Sequence, residues 1–210
     1  MDVLGDMVDC PSISRFDDSP ERETTLRQDL DSEYELNTRI FNTFRKSKKK
    51  YIKGNHCDRY PIWLCKNKKL VDLIDFDKEI GLKEFDVDVY DYGEKWEHNG
   101  FFFMHGNIIR KHSGYTAKAL LEEMGVSGEC GHTHKAGSHF KTDYNDEKGF
   151  YENGCLCDFS LSKYWFKKPK PNWQYAISVI KFVDDQFHVD QIVIPSKHPF
   201  IIYGDKYYTL

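Results

Sequence analysis

Four short strings in this sequence share one design: an apolar segment, then a glycine or tight turn, together with a side chain that can bind a metal. In chain order the four strings are Gly5-Asp6-Met7-Val8-Asp9, Gly54-Asn55-His56, His105-Gly106 and Gly131-His132-Thr133-His134. A carboxylate, an amide oxygen and imidazoles form a ligand set that suits Mn, Fe, Zn or Ni better than Ca. Because alternate side chains of an extended segment point to one face, His132 and His134 can serve two neighbouring ions.

The elements that must position these strings are the strands that precede them. In an open α/β sheet, the loops that leave the C-terminal ends of parallel strands converge on one crevice. Four such loops would bring together Asp6, Asn55, His105, His132 and His134. Any one of the strings alone is more often an ordinary turn, so the signal lies in the presence of all four in this order.

The spacing of apolar residues predicts the elements around the strings. A helix is expected over residues 20–46, with residues 24–46 packing on an outer face, because Leu26, Leu30 and Phe41 recur on one side of it. Further helices are expected at 61–65, 70–74 and 116–124, and strands at 3–4, 51–53, 86–92 and 101–104. Residues 174–183 and 186–194 read as a hairpin that turns at Asp184-Asp185. The expected class is α/β, with a mostly parallel sheet, a β-rich C-terminal half and helices outside.

Composition excludes several classes of protein. Hydrophobic residues make up 40% of the 210 and charged residues 30%, which excludes a disordered chain. A net charge of −4 argues against bulk electrostatic binding of nucleic acid. With no apolar run of bilayer length and no signal peptide, we expect no membrane partner and a cytoplasmic location. The six cysteines are then expected to be free thiols in a reducing compartment.

The ordered strings resemble the calcineurin-like metallophosphoesterase superfamily. Its motif order is Asp-x-His, Gly-Asp-x-x-Asp, Gly-Asn-His-Asp/Glu, His-Gly and Gly-His-x-His, and the similarity runs from residue 5 to the Asn153-Gly154 turn. The longer strings at 9–16, 54–59 and 154–158 resemble a branch common in bacteriophage and prophage genomes, which places the chain in a bacterial or phage-infected cell. The resemblance implies an α/β sandwich of two mixed sheets flanked by helices. It also implies a hydrolase for phosphomono- or phosphodiesters, with nucleotides and nucleic acid among the candidate substrates.

The resemblance further implies two divalent transition-metal ions, with Mn as first choice and Fe, Zn or Ni as alternatives. Asp6 would bridge the two ions. Asn55, His105 and His132 would complete one site, and His134 would belong to the other. A metal-activated hydroxide would then attack phosphorus in line.

The same resemblance assigns the remaining roles. His56 would stand beside the scissile phosphate and stabilise the transition state or protonate the leaving oxygen, while Asp9 would accept from its other nitrogen and fix its tautomer. Arg15 or Arg59 would contact the phosphate through a bidentate guanidinium, with a surface ion pair as the alternative.

The sequence departs from the family pattern at its start, because the Asp-x-His motif is missing. We therefore expect residues 1–210 to be a single, N-terminally truncated domain without its first strand. The alternatives are a natural one-metal form or a partner that supplies the strand, and in function an inactive fragment or degenerate metal-binding remnant. Cys57 stands where the family has Asp or Glu, and Cys10 where some phosphatases carry Arg. These two and Cys130 are expected to be structural thiols, and a metal ligand is the alternative for each.

Residues 163–173 interleave aromatic and basic side chains. Such a segment can stack bases and neutralise the phosphates of a single strand. An exposed loop is the favoured interpretation, and a nucleic-acid contact is the alternative.

Overall fold

The computed structural model describes residues 1–15, 24–144, 146–159 and 171–209. They form two compact units, an N-terminal unit (Met1–Glu94) and a C-terminal unit (Lys95–Leu210). The elements confirm the predicted α/β class, with mixed sheet pairing and few helices. The expectation of a single domain stays a prediction.

The N-terminal unit is built on a three-stranded parallel sheet in the order β1-β2-β3. Its elements are β1 (Asp2–Val3), a 3-10 helix (Pro11–Ile13), α1 (Leu26–Thr43), β2 (Lys49–Ile52), α2 (Arg59–Lys66), a second 3-10 helix (Lys68–Leu70), α3 (Phe76–Glu79) and β3 (Val87–Tyr90). Because β1 and β2 are parallel neighbours, the loops that follow them leave the sheet at the same edge.

The helices of this unit differ from the prediction where capping residues intervene. Helix α1 begins at Leu26 because Thr25 and Gln28 form a capping box, and the predicted stretch at residues 20–23 lies outside the described residues. The helix expected at 70–74 is wrong: Asp72 has a left-handed φ of 71°, which a helix cannot accommodate. The next helix starts only after Asp75, whose side chain accepts from the Lys78 amide.

Large apolar side chains fill the core of the N-terminal unit. Leu30 and Phe41 from α1 pack in one cluster with Tyr51 of β2, and all three are 0% exposed. Ile80 and Leu82, which follow α3, complete the cluster. This packing confirms that α1 packs on the parallel sheet of its own unit. The same cluster includes residues of β1 and β2, the strands that precede the first two candidate strings.

An ionisable side chain, that of Glu33, lies inside this core. Glu33 on α1 accepts from Asn37 Nδ2 at 3.0 Å and lies 3.4 Å from the Tyr51 hydroxyl. Burial raises the pKa of Glu33 to about 7, against an ordinary value of 4.5, although both hydrogen bonds act in the opposite direction. The folded protein therefore holds this proton at pH values where the unfolded chain has lost it.

We expect Glu33→Gln to stabilise the protein at pH 8 and to have little effect near pH 4. The raised pKa makes stability fall as pH rises from 4.5 to about 7, because the native state then binds more protons than the unfolded state. The change in unfolding free energy between variant and wild type should grow by about 2–3 kcal/mol across that range. Urea unfolding at several pH values measures it, and a constant difference across the range would contradict the burial of a neutral Glu33.

The C-terminal unit contains a five-stranded mixed sheet in the order β4-β5-β6-β8-β7 and, within its described residues, one helix of ten residues. Its elements are β4 (Lys95–His98), β5 (Phe101–Met104), α4 (Tyr115–Met124), β6 (Ser127–Cys130), β7 (Ala136–Thr142), β8 (Glu147–Asn153), β9 (Tyr175–Val183), β10 (Gln186–Ile194), β11 (Phe200–Tyr203) and β12 (Lys206–Thr209). Strands β5, β6 and β8 are mutually parallel, and β4 and β7 pair antiparallel at the edges. The predicted hairpin is confirmed: β9 pairs with β10, and Asp184 in the turn has a φ of 51°.

A buried carboxylate joins the helix to the sheet in the C-terminal unit. Glu152 on β8 is 0% exposed and accepts from the amides of Thr116 and Ala117, in the first turn of α4, at 3.0 and 3.2 Å. A negative charge is stabilised there by the unpaired amides and the helix dipole. Leu121 of α4 and Phe150 of β8 belong to one buried apolar cluster, which completes the junction.

Within the ranges that the structure describes, no helix combines the length and the apolar character needed to cross a membrane.

Candidate functional site

The Asp6 carboxylate is fixed by the loop that follows β2. The His56 amide donates to Asp6 Oδ1 at 2.9 Å. A Cβ on Gly54 would lie 2.0 Å from the same oxygen, so only glycine fits at that position. Asn55, the predicted amide ligand, lies between these two contacts in the chain. The parallel pair β1 and β2 thus brings the first two candidate strings together, as predicted.

The His56 ring lies between two carboxylates. Its Nδ1 is 2.9 Å from Asp9 Oδ1, and its Nε2 is 3.9 Å from Asp6 Oδ2, which is beyond hydrogen-bond distance. The predicted contact between Asp9 and His56 is therefore present. When Nδ1–H donates to Asp9, Nε2 is the nitrogen left for a substrate, and the His56 side chain keeps 25% of its surface exposed.

Arg59 and Arg15, the two predicted phosphate contacts, have different surroundings. The Arg59 guanidinium contacts the Asp9 main-chain oxygen and lies 3.1 Å from Asp9 Oδ1, with 17% of its side chain exposed. Arg59 therefore holds Asp9, which in turn holds His56. Arg15 is exposed and follows the first 3-10 helix. A contact of either residue with phosphate stays a prediction.

Left-handed backbone recurs at the candidate residues. Asp6, His132 and His134 have φ values of 54°, 64° and 58°, and Cys10, beside Asp9, has 44°. Non-glycine residues rarely adopt this region, and each such conformation costs about 1–3 kcal/mol. The surrounding structure maintains this strain, a pattern typical of ligand-binding and catalytic positions.

In the C-terminal unit, His105 and His132 form a close imidazole pair. They follow the parallel strands β5 and β6, whose last residues Met104 and Cys130 are in register. His132 Nδ1 lies 3.2 Å from His105 Nε2, and His105 is 1% exposed. Two imidazole nitrogens bound to one ion at about 2.0–2.1 Å lie about 2.8–3.4 Å apart, from octahedral to tetrahedral geometry. The pair therefore has the spacing of two ligands of one transition-metal ion.

His134, two residues after His132, lies beside two thiols instead. One ligand atom each from His134, Cys155 and Cys157 lie within 4.8 Å of one another. The His134 ring also meets the Trp173 ring edge to face, with centroids 4.5 Å apart. The sequence predicted only free thiols for all six cysteines, because Cys155-x-Cys157 alone is not a zinc signature. The only sequence signal for this cluster was the Cys155-x-Cys157 spacing, because His134 lies 21 residues before Cys155.

The other thiols near the candidate strings behave as core residues. Cys57, where the family carries an acid, is 2% exposed, and burial raises its pKa to about 12. Burial likewise raises the pKa values of Cys10 and Cys130. None of the six cysteines, all of which lie in the described ranges, forms a disulfide, and these three have the buried settings expected of structural thiols.

Two further features concern the surroundings of the site. Partial burial, with the nearby charges of Asp6 and Asp58, raises the pKa of Tyr92, a residue that no sequence motif indicated. Of the aromatic and basic segment at 163–173, residues 163–170 lie outside the described residues. The described Trp173 packs against His134 and Phe159, so its ring has an intramolecular contact.

Comparison of the chain with models of known protein families gives no match. A search among curated proteins gives none either. Function is therefore inferred from the sequence strings and from the geometry within each unit. The N-terminal unit has a carboxylate and a histidine hydrogen-bonded to Asp9, and the C-terminal unit has paired imidazoles.

Proposed function

We propose that this chain is a metal-dependent phosphoesterase of the calcineurin-like type that acts on phosphodiesters, and on phosphomonoesters as a second class. The observation that carries the proposal is the arrangement of His56, whose Nδ1 bonds Asp9 while its Nε2 faces the Asp6 carboxylate at 3.9 Å. A histidine oriented in this way is suited to donate a proton beside a metal-binding carboxylate. The proposal includes the sandwich fold of that family and a cytoplasmic location.

The proposal assigns two divalent ions, with Mn first and Fe, Zn or Ni as alternatives. Asp6, Asn55, His105, His132 and His134 would hold them, as the resemblance implies. The donor set supports this, because a carboxylate, an amide and imidazoles suit these metals and the His105–His132 spacing is that of two ligands of one ion. The chemistry that such ions supply when bound is neutralisation of phosphate charge and activation of water.

The chain's own residues then perform the positioning and the proton transfer. His56 acts in its doubly protonated form, in which Nδ1–H donates to Asp9 and Nε2 holds the proton that goes to the leaving oxygen. Asp9 keeps the ring oriented so that Nε2 is available to the substrate, and Arg59 holds Asp9 through contacts with its main-chain oxygen and its Oδ1. Gly54 keeps the Asp6 carboxylate against the loop that carries His56.

The direct test is Mn²⁺-dependent hydrolysis of bis-p-nitrophenyl phosphate, measured together with metal content. We expect turnover in the wild type and a loss of at least ~100-fold in His132→Ala, because activation of water depends on the bound metal. His188→Ala is the matched control, since this histidine is 72% exposed and pairs with Asp190 on the β9–β10 hairpin.

Two results would count against the proposal. One is an absence of turnover in wild-type protein loaded in turn with Mn²⁺, Fe²⁺, Zn²⁺ and Ni²⁺, which would favour a degenerate metal-binding remnant. The other is equal turnover in His132→Ala and His188→Ala. A nucleic-acid substrate is tested separately, by comparing single-stranded DNA with the small diester.

A further inference from the structure

The cluster formed by His134, Cys155 and Cys157, here called the thiol cluster, is built by two loops of the C-terminal unit. His134 lies between β6 and β7, and the cysteines follow β8. Main-chain hydrogen bonds join these loops to Gln174: its amide donates to the His134 carbonyl at 2.9 Å, and its carbonyl accepts from the Cys155 amide at 3.1 Å. The Cys155 thiol also lies 3.9 Å from the His134 carbonyl oxygen and 3.7 Å from that of Gln174, so main-chain and thiol contacts together hold the two loops.

The spacing of the sulfur atoms is that of two ligands of one ion. Cys157 Sγ lies 3.7 Å from Cys155 Sγ, whereas a disulfide needs about 2.05 Å. Two thiolates bound at 2.3 Å to one tetrahedral ion lie about 3.8 Å apart. The third ligand atom, on His134, lies within 4.8 Å of both sulfurs.

The orientation of His134 adds an independent observation. Its φ of 58° is a conformation that histidine rarely adopts, and its ring is held edge to face by Trp173. A side chain that has both a strained backbone and a packed ring is positioned before any ligand arrives.

We propose that His134, Cys155 and Cys157 form a binding site for a thiophilic divalent cation, for which Zn²⁺ is the chemical fit. Thiolates select Zn²⁺ over Mn²⁺. Three protein ligands leave the fourth position of a tetrahedral ion for water. Because Cys157 is exposed, solvent reaches the cluster. The inference goes beyond the proposed phosphoesterase function, with which it shares only His134.

The test uses Co²⁺ as a spectroscopic probe of the reduced protein. Wild type with Co²⁺ should show the near-ultraviolet band of thiolate-to-cobalt charge transfer. The band should be lost in the Cys155→Ser, Cys157→Ser double variant and retained in Cys65→Ser, which alters an exposed thiol on α2. No band in wild type, or an unchanged band in the double variant, overturns the proposal.

A second measurement guards against misfolding of the double variant. In wild type, Zn²⁺ should slow alkylation of Cys155 and Cys157 by iodoacetamide at least tenfold and leave Cys65 unchanged, as peptide mass spectrometry would report. Equal alkylation with and without Zn²⁺ overturns the proposal. Neither readout involves hydrolysis, so the two proposals can fail separately. A protein that shows the band and the protection but no phosphodiesterase activity would refute the proposed function and support the thiol cluster as a metal site.

Discussion

Replacement of His56 by alanine is expected to lower the turnover of bis-p-nitrophenyl phosphate by about 100- to 10,000-fold, the usual contribution of a general acid. Bound metal should stay at the wild-type level, because the ring lies 3.9 Å from Asp6 Oδ2 and is not among the proposed ligands. Turnover and metal content measured on the same samples therefore separate loss of proton transfer from loss of the metal.

The His56 prediction has a graded companion at Asp9. Asp9→Asn keeps the shape of the side chain, but the new amide can donate a hydrogen bond to His56 Nδ1. The ring would then be neutral, with its single proton on Nε2. We expect turnover between those of wild type and His56→Ala, with metal content again unchanged. The Asp9→Asn, His56→Ala double variant should have the same turnover as His56→Ala alone, because Asp9 acts through the ring that it holds.

Three outcomes would contradict this account of His56. They are turnover in His56→Ala within threefold of wild type, a parallel loss of metal in that variant, and additive losses in the double variant. His188→Ala again serves as the control for replacement of a surface histidine.

Replacement of Gly54 by alanine is expected to have the second large effect. The new Cβ would lie 2.0 Å from Asp6 Oδ1 and 2.7 Å from the Asp6 main-chain nitrogen, so the carboxylate must leave its contact with the His56 amide and the main chain must shift. Overpacking of this kind costs about 1–3 kcal/mol of unfolding free energy. Because a misplacement of about 1 Å can cost 100-fold in rate, we also expect turnover to fall by about that factor.

Gly93→Ala provides the matched control for Gly54→Ala. Gly93 has a φ of 93°, so alanine there also strains the backbone, yet no atom lies within 4 Å of the added Cβ. We expect it to lower stability in urea unfolding without lowering turnover or metal affinity measured by titration calorimetry. If Gly54→Ala behaves in the same way, the contact between Gly54 and Asp6 has no part in the site.

Local signals account for the parts of the fold that the sequence predicted. The apolar spacing on α1, the uniformly apolar β5, and the Asp184-Asp185 turn between β9 and β10 are each signals that lie within one element or one turn. The error at residues 70–74 has the same origin, since the left-handed Asp72 and the capping Asp75 outweigh a helix-like spacing.

The sequence by itself also indicated which loop side chains could bind a metal, whereas the pairing of Asp9 with His56 was an implication of the family resemblance. It did so because strand-then-turn strings mark loop positions, and because the residue types at these positions limit the chemistry. Their order along the chain supplied the resemblance on which the proposed function depends.

Only the tertiary structure decided which groups meet. It placed Arg59 on Asp9, pressed Gly54 against Asp6, and joined His134 to Cys155 and Cys157. These pairs are 21 to 50 residues apart in the chain, so strand order and register, rather than local periodicity, bring them within a few ångströms. The cost of the left-handed backbone at Asp6, His132 and His134 is likewise maintained by the packed units around them.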